Sequence, residues 1–207
     1  LEVCAYCPSL CQHTCPVATA EGKRTSTPWA MMSLAHHVAT NRVRLDDEIA
    51  RQFYHCAGCR ACTRFCLHDN DVGRAMVADR EHAVARGRLP FPKRACQVAT
   101  DIPRDPGWGA QDGGGVSERF QSEPAVLLLP GHRGLVADAR PVATFLEICE
   151  LVDDDEIACS EASTLDVGYD LWSGGFHEDF RKQARAVRDA LQGASHVVVM
   201  SPEALYT

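Results

Sequence analysis

The fold is decided by a run of four closely spaced cysteines, Cys56-Ala-Gly-Cys59-Arg-Ala-Cys62-Thr-Arg-Phe-Cys66. An earlier run has nearly the same form, Cys4-Ala-Tyr-Cys7-Pro-Ser-Leu-Cys11-Gln-His-Thr-Cys15-Pro16. The second run has the C-x2-C-x2-C-x3-C spacing of bacterial ferredoxins, in which two-residue gaps let successive sulfur atoms point inward from one turn of backbone. Eight of the 11 cysteines lie in these two runs. The pattern predicts two [4Fe–4S] clusters held by protein thiolates.

The expected distribution of ligands crosses between the two runs. In two-cluster ferredoxins the fourth cysteine of a run ligates the other cluster. Applied to this chain, the exchange predicts a first cluster held by Cys4, Cys7, Cys11 and Cys66. A second cluster would be held by Cys56, Cys59, Cys62 and Cys15. Because this exchange ties both ends of the region together, we expect the region to be largely disordered without metal.

Two details depart from the common ferredoxin spacing. Three residues separate Cys7 from Cys11, where two are usual, and Leu67 follows Cys66, where proline is usual. Either detail can alter the geometry or potential of one cluster, but neither removes a ligand. Structural zinc is the alternative interpretation of clustered cysteines. Zinc sites, however, usually show paired CxxC motifs separated by loops rather than four cysteines in each run.

Two arginines, Arg60 and Arg64, lie inside the second run. A cluster becomes more negative on reduction, and a nearby cation stabilises the reduced form. We therefore interpret both arginines as residues that raise the potential of this cluster, the alternative being solvated surface charges. No catalytic residue is predicted, because thiolates fill every iron ligand position and leave none for a substrate.

Length and charge exclude several other classes of protein. The 207 residues carry a net charge of −7, and residues 1–104 hold 14 Lys and Arg against 10 Asp and Glu. This modest basic excess contains no basic run, so nucleic acid is not an expected partner. No apolar run approaches the roughly 20 residues of a membrane span. The chain starts without Met or a signal peptide, and we expect it to continue beyond Thr207.

Local patterns predict a helical region, a linker and an α/β region, which together make an α+β protein. Helix signals follow the caps at Thr27, Asp46 and Asp71. Glycine and proline mark 103–124 as a linker. Apolar runs then predict strands at 125–129, 156–159 and 196–200, with helices at 139–151 and 176–191 between them. The expected domains are a helical ferredoxin-like domain at 1–102 and a parallel-sheet domain at 125–207.

The eight cysteines resemble those of a known group of iron–sulfur proteins. The helical region is similar to the iron–sulfur domain of heterodisulfide reductase C-type subunits and of the glycolate oxidase iron–sulfur subunit. It is also similar to the anaerobic glycerol-3-phosphate dehydrogenase small subunit and to the succinate dehydrogenase iron–sulfur C-terminal domain. The resemblance covers residues 1–100 and implies two [4Fe–4S] clusters that pass electrons between partner proteins.

The α/β region resembles half of a CCG-type cysteine-rich domain, which follows the clusters in several of these families. The family has Pro-Gly-Cys where this chain has Pro130-Gly131-His132. It has Cys-Cys-Gly where this chain has Ala158-Cys159-Ser160. It reads Cys-x-x-Cys where this chain has Ser201-Pro-Glu-Ala204. The resemblance therefore implies an incomplete domain that keeps its fold and has lost its cluster ligands.

Three functions are consistent with these patterns. The first is an electron-transfer subunit in a hetero-oligomeric complex, where the partner would be a flavoprotein dehydrogenase, an electron-transfer flavoprotein, a hydrogenase or a reductase subunit. The second is a heterodisulfide-reductase-like catalytic subunit with its active site in the α/β region or beyond residue 207. The third is a zinc-stabilised interaction module. The expected location is the cytoplasm, with attachment to a membrane only through a partner.

Overall fold

The computed structural model describes residues 2–96, 116, 120–131, 139–152 and 156–206, which fall into two units. The helical unit comprises Leu1–Cys96 together with Leu171–His177. The sheet unit comprises Gln97–Asp170 together with Glu178–Thr207. The mixture of a helical N-terminal region and a parallel sheet confirms the predicted α+β class.

Short helices joined by tight turns build the helical unit. The α-helices are α1 Glu2–Tyr6, α2 Pro16–Glu21, α3 Pro28–Ala39, α4 Asp47–Phe53, α5 Ala61–Arg64 and α6 Val72–Ala85. Turns of 3₁₀ helix lie at Leu10–Thr14, Arg24–Ser26 and Lys93–Ala95. The side chains of Thr27, Asp46 and Asp71 each accept a bond from the backbone N–H three residues on, at 3.3, 2.9 and 3.1 Å. These three bonds confirm the predicted helix starts.

The core of the helical unit lies between α3, α4 and α6. Met31, Ala35, Phe53 and Met76 are each at most 1% exposed. Cys4 and Cys62 belong to the same buried cluster, and Cys11 and Cys56 pack against it. Four of the eight predicted cluster ligands therefore belong to this core or pack against it.

The sheet unit is a three-stranded parallel sheet of order β2-β1-β3. Its strands are β1 Val126–Leu129, β2 Ile157–Ala158 and β3 His196–Val199. Its helices are α7 Arg140–Leu151, α9 His177–Ala190 and α10 Pro202–Tyr206, with a 3₁₀ turn at Glu161–Thr164. Helix α8 Tyr169–Ser173 begins in the sheet unit and ends in the helical unit. Helices α7 and α9 follow β1 and β2 in sequence, as expected for parallel strands that need crossover connections.

The apolar stripe of α7 fills the core of the sheet unit. Val142 and Leu146 pack with Leu128 of β1 and with Cys159, which is fully buried. Val116 is also fully buried in this core, although it falls within the range predicted as a linker. Residues 103–115 of that range lie outside the described residues. The predicted boundary after residue 102 also lies outside them, so the domain limits remain predictions.

The segment Leu171–His177, here called the strap, belongs to the helical unit although sheet-unit residues precede and follow it in sequence. Nothing in its composition predicts this assignment. Within the strap, Gly174, Gly175 and Phe176 are buried. Among the described residues, no helix is both long and apolar enough to cross a bilayer.

Helix α6 carries a half-buried acid, Asp79, whose Oδ2 is buried and has no hydrogen-bond partner among the described residues. Burial raises the pKa of Asp79 from its ordinary 3.8 to about 6. Between these two values the unfolded chain has already released the proton that the folded chain retains. The free energy of unfolding should therefore fall as pH rises from about 4 to about 6.

Replacing Asp79 by asparagine should remove this pH-dependent loss of stability. Since each pKa unit corresponds to about 1.4 kcal/mol, we expect Asp79→Asn to raise the free energy of unfolding at pH 8 by about 1–3 kcal/mol. Urea unfolding of both proteins at pH 5 and pH 8 measures the difference. Glu48→Gln is the control, because Glu48 is an exposed carboxylate. A variant no more stable than the parent at pH 8 would show that Asp79 is not a strained buried charge.

Candidate metal centres

Left-handed backbone conformations turn the chain between the cysteines. Gly58 and Arg60, which flank Cys59, have φ angles of 67° and 58°, and Ser9 has a φ of 60°. Ser9 lies in the long gap between Cys7 and Cys11, directly before the 3₁₀ turn Leu10–Thr14. The extra residue of the first run is therefore absorbed by one left-handed turn. Non-glycine residues in this conformation carry strain, which is typical of functional sites.

The first thiol group combines three cysteines of the first run with the last cysteine of the second. Cys66 and Cys7 lie close enough to Cys4 for their negative charges to raise its pKa. The pKa of Cys11 is raised in the same way by all three of these cysteines. These four residues, with Cys62, line one shared pocket. The structure thus places Cys66 beside cysteines of the first run.

The second thiol group contains the rest of the predicted ligands. Cys56 lies near Cys59 and near Cys15 of the first run. Cys62 is close to Cys56 and Cys59, and also to Cys11 of the first group. The two groups therefore approach each other most directly at Cys11 and Cys62. The exchange of ligands between the runs and the bonds to iron remain predictions.

Burial keeps several of these thiols in their protonated form. It raises the pKa of Cys4, Cys11 and Cys56, and it raises the pKa of Cys62 to about 12. Neighbouring cysteines raise the pKa values further, because thiolates repel one another. Every described cysteine is free of a disulfide. A metal centre would displace these protons and neutralise the repulsion, which couples binding to folding.

The spacing of the ligands distinguishes a cluster from a single ion. Within the described ranges, no three side chains of His, Cys, Asp or Glu converge closely enough to hold one metal ion. Four-coordinate zinc requires such convergence, with every sulfur about 2.3 Å from one centre. A cubane binds each thiolate through a different iron, so its ligands stand further apart. The eight thiols of the two runs supply the number and type of donors that two cubanes require.

Two neutral donors accompany the first thiol group. Asn70 Nδ2 donates a hydrogen bond to Cys4 Sγ at 3.4 Å, and Trp29 lines the same pocket. The indole Nε1 of Trp29 is buried and has no hydrogen-bond partner among the described residues. A buried donor of this kind is costly unless an acceptor is supplied. Cluster sulfurs are suitable acceptors, and hydrogen bonds to them tune the potential.

The two predicted tuning residues differ in environment. Arg60 donates to Asp71 Oδ2 at 2.6 Å, and its side chain is 48% exposed. Asp71 also caps α6, so this pair joins the second run to that helix. Arg64 lies in the last turn of α5 and is exposed. The tuning role of both arginines remains a prediction.

A third arginine, Arg80, has closer contacts with the second run than the sequence suggested. Its guanidinium is buried, and it donates to the carbonyl oxygens of Phe53 at 3.0 and 2.9 Å and of Cys56 at 2.5 Å. The sequence did contain a signal, because Arg80 interrupts the apolar side of α6 between Met76 and Val84. A cation on an apolar stripe indicates a buried and specifically bonded charge.

The positions compared with the CCG pattern lie after the parallel strands. Ala158 ends β2, and Cys159 is buried with its pKa raised to about 11 by burial. A Cβ on Gly131 would lie 2.6 Å from Ser201 Oγ, so the ends of β1 and β3 are in contact. Ser201 Oγ also accepts from the N–H of Ala204. His132 lies outside the described residues.

Comparison with known proteins identifies the cysteine region. Residues 1–70 match a family model described as a 4Fe-4S dicluster domain. The match covers about a third of the chain and includes all eight cysteines of the two runs. No curated protein and no solved structure matches the chain. The dicluster domain supports an iron–sulfur protein and indicates iron–sulfur electron transfer.

Removing the charges of the second run gives a measurable prediction. Arg60→Gln removes a positive charge and takes this cation away from the Asp71 carboxylate. Both effects make the surroundings of the second run more negative. We expect Arg60→Gln and Arg64→Gln to lower the potential of the second cluster, with the larger shift for Arg60 because Arg64 is solvated. Redox titration followed by electron paramagnetic resonance measures both potentials. Arg51→Gln, an exposed residue of α4, serves as the control. Unchanged potentials would identify both arginines as surface charges.

Proposed function

We propose that this chain is the electron-transfer subunit of a larger oxidoreductase complex. It would relay single electrons through two [4Fe–4S] clusters between a redox partner and an acceptor. When bound, the clusters supply reversible one-electron storage. The protein supplies the thiolates, the hydrogen-bond donors and the charges that set their potentials.

The observation that carries this proposal is the approach of two four-thiol groups within one dicluster-type region. Cys11 and Cys62 belong to different groups and are near neighbours. Clusters held in this way would lie side by side, as a relay requires. Full thiolate ligation would leave no iron position for a substrate, so the region suits transfer rather than bond chemistry.

Exposed apolar side chains support contact with a partner beside the first group. Val3, Tyr6 and Leu10 alternate with the cysteines of the first run and are 49%, 77% and 53% exposed. Phe65 and Leu67 flank Cys66 and are 59% and 85% exposed. Large apolar side chains concentrated around one site favour protein association. We infer that electrons enter or leave through the first cluster.

The partner is proposed from chemistry alone. A flavoprotein dehydrogenase, an electron-transfer flavoprotein, a hydrogenase or a reductase subunit could each exchange single electrons with such a relay. This proposal implies a hetero-oligomer, and a cytoplasmic location is consistent with reduced cysteines. Isolation of the complex under anaerobic conditions, followed by identification of the proteins that copurify, tests the assignment.

The catalytic alternative has some support from the sheet unit. The CCG-like positions after β1 and β3 do meet at Gly131 and Ser201. Cys159, however, is buried and lies in the apolar core, where it is poorly placed as a metal ligand. We therefore favour a structural or docking role for the sheet unit. The zinc alternative is disfavoured by the spacing of the thiols.

Assays of the purified chain separate transfer from catalysis. A chain reduced with dithionite and freed of excess reductant should deliver about two electrons to a one-electron acceptor such as ferricyanide. It should not accelerate the reduction of small disulfides or heterodisulfides by reduced viologen. Sustained turnover of a disulfide by the isolated chain would overturn the proposal in favour of a reductase.

A further inference from the structure

The strap is fixed to the helical unit through Arg80 and Tyr54. Arg80 Nη1 donates to the carbonyl oxygen of Ser173 at 2.7 Å. Tyr54 Oη donates to the carbonyl oxygen of Gly174 at 3.0 Å, and its ring lies 5.0 Å from the guanidinium carbon of Arg80. Two adjacent strap carbonyls are therefore held by two neighbouring side chains.

The close approach of the strap requires a glycine at position 175. Gly175 has a φ of 87°, which favours glycine. A Cβ at this position would lie 2.6 Å from the carbonyl carbon of Arg80 and 2.6 Å from the amide nitrogen of Glu81. His177 Nδ1 is 2.9 Å from Glu81 Oε2 on the same helix. The strap thus lies directly on the α6 backbone at Arg80.

The same guanidinium reaches the second cysteine run. Its Nη2 donates to the carbonyl oxygen of Cys56 at 2.5 Å, and the Arg80 residue is only 6% exposed. A charge shielded from water acts more strongly on its surroundings than an exposed charge such as that of Arg60. Several hydrogen bonds to the planar guanidinium also fix the position of that charge.

We propose that Arg80, oriented by the strap, is a positioning residue that raises the potential of the second cluster relative to the first. This inference rests on the proposed function, because it assumes that Cys56, Cys59, Cys62 and Cys15 hold a cluster. The buried cation favours the more negative reduced state of that cluster. The carbonyl of Ser173 keeps the guanidinium in contact with the Cys56 loop. Electrons on the relay would therefore collect at the second cluster.

The direct test measures both cluster potentials in Arg80→Met. We expect the potential of the second cluster to fall by at least about 59 mV, a tenfold change for a one-electron couple. The potential of the first cluster should stay within error. Arg86→Met removes the same charge from the exposed end of α6 and should leave both potentials unchanged. Arg80→Lys keeps a charge and should lie between the parent and Arg80→Met.

Gly175→Ala tests the role of the strap without changing any charge. It replaces the direct test if Arg80→Met does not bind its clusters. The added methyl should displace Ser173 from Arg80 and lower the potential of the second cluster in the same direction, by a smaller amount. Gly87→Ala is matched, because Gly87 has a φ of 67° and nothing within 4 Å of the added Cβ. Equal shifts in both clusters, or none in either variant, would overturn the inference. A parent protein without two clusters would instead refute the proposed function.

Discussion

Two double cysteine variants are expected to contain different amounts of iron, although each lacks two of the eight cysteines in the runs. In Cys7→Ala/Cys66→Ala both missing ligands belong to the first thiol group, so one cluster should remain, with about four irons per chain. In Cys7→Ala/Cys15→Ala the missing ligands belong to different groups, so almost no iron should remain. Iron analysis after anaerobic reconstitution measures this difference directly.

The physical reason is that an incomplete set of thiolates does not retain a cubane. Cys66 lies beside Cys4 and Cys11, whereas Cys15 lies beside Cys56. Cys96→Ala is the matched control, because Cys96 is a buried cysteine of the helical unit outside both groups and should leave about eight irons. The reverse pattern, with more iron in Cys7→Ala/Cys15→Ala, would show that each run holds its own cluster.

Removal of iron should unfold the helical unit while the sheet unit stays folded. Cys4 and Cys62 lie in the core of the helical unit, and Cys11 and Cys56 pack against it. Loss of the clusters would remove the groups that join the two cysteine runs and would leave the thiols between them without a partner to pack against. In contrast, the sheet core is completed by apolar side chains such as Leu128, Val142 and Leu146. The two cores should therefore respond differently to a chelator.

Amide hydrogen exchange measures this difference residue by residue. After chelation we expect the amides of α3 and α6 to exchange at least about a hundred times faster, a loss of about 2.7 kcal/mol of protection. The amides of β1, from Val126 to Leu129, should keep most of their protection. Treatment with a chelator saturated with iron is the control. Protection of α3 and α6 that survives complete loss of iron would show that the helical unit folds without metal.

The sequence was sufficient where local chemistry determines the structure. The capping side chains of Thr27, Asp46 and Asp71 begin their helices as predicted, because each bond forms within one turn. The apolar runs became β1, β2 and β3 in a parallel sheet, since strands separated by helices have few alternatives. The cysteine spacing likewise predicted which region matches the dicluster family.

The sequence was insufficient where distant segments meet. Arg80 could be flagged as a cation on an apolar stripe, but its acceptors Phe53, Cys56 and Ser173 are 27, 24 and 93 residues away. The strap has the composition of an ordinary loop, and its place in the helical unit depends on contacts with α6. Trp29 gave no sign of a functional donor, because its unpaired N–H becomes apparent only once its burial is known.

Iron and acid-labile sulfide per chain, measured on anaerobically purified protein together with the spectrum of the reduced state, test the central claim most directly. Two clusters predict about eight irons and eight sulfides, with paramagnetic signals from two interacting centres. A folded, colourless protein that contains about one zinc per four cysteines and no sulfide would contradict the account.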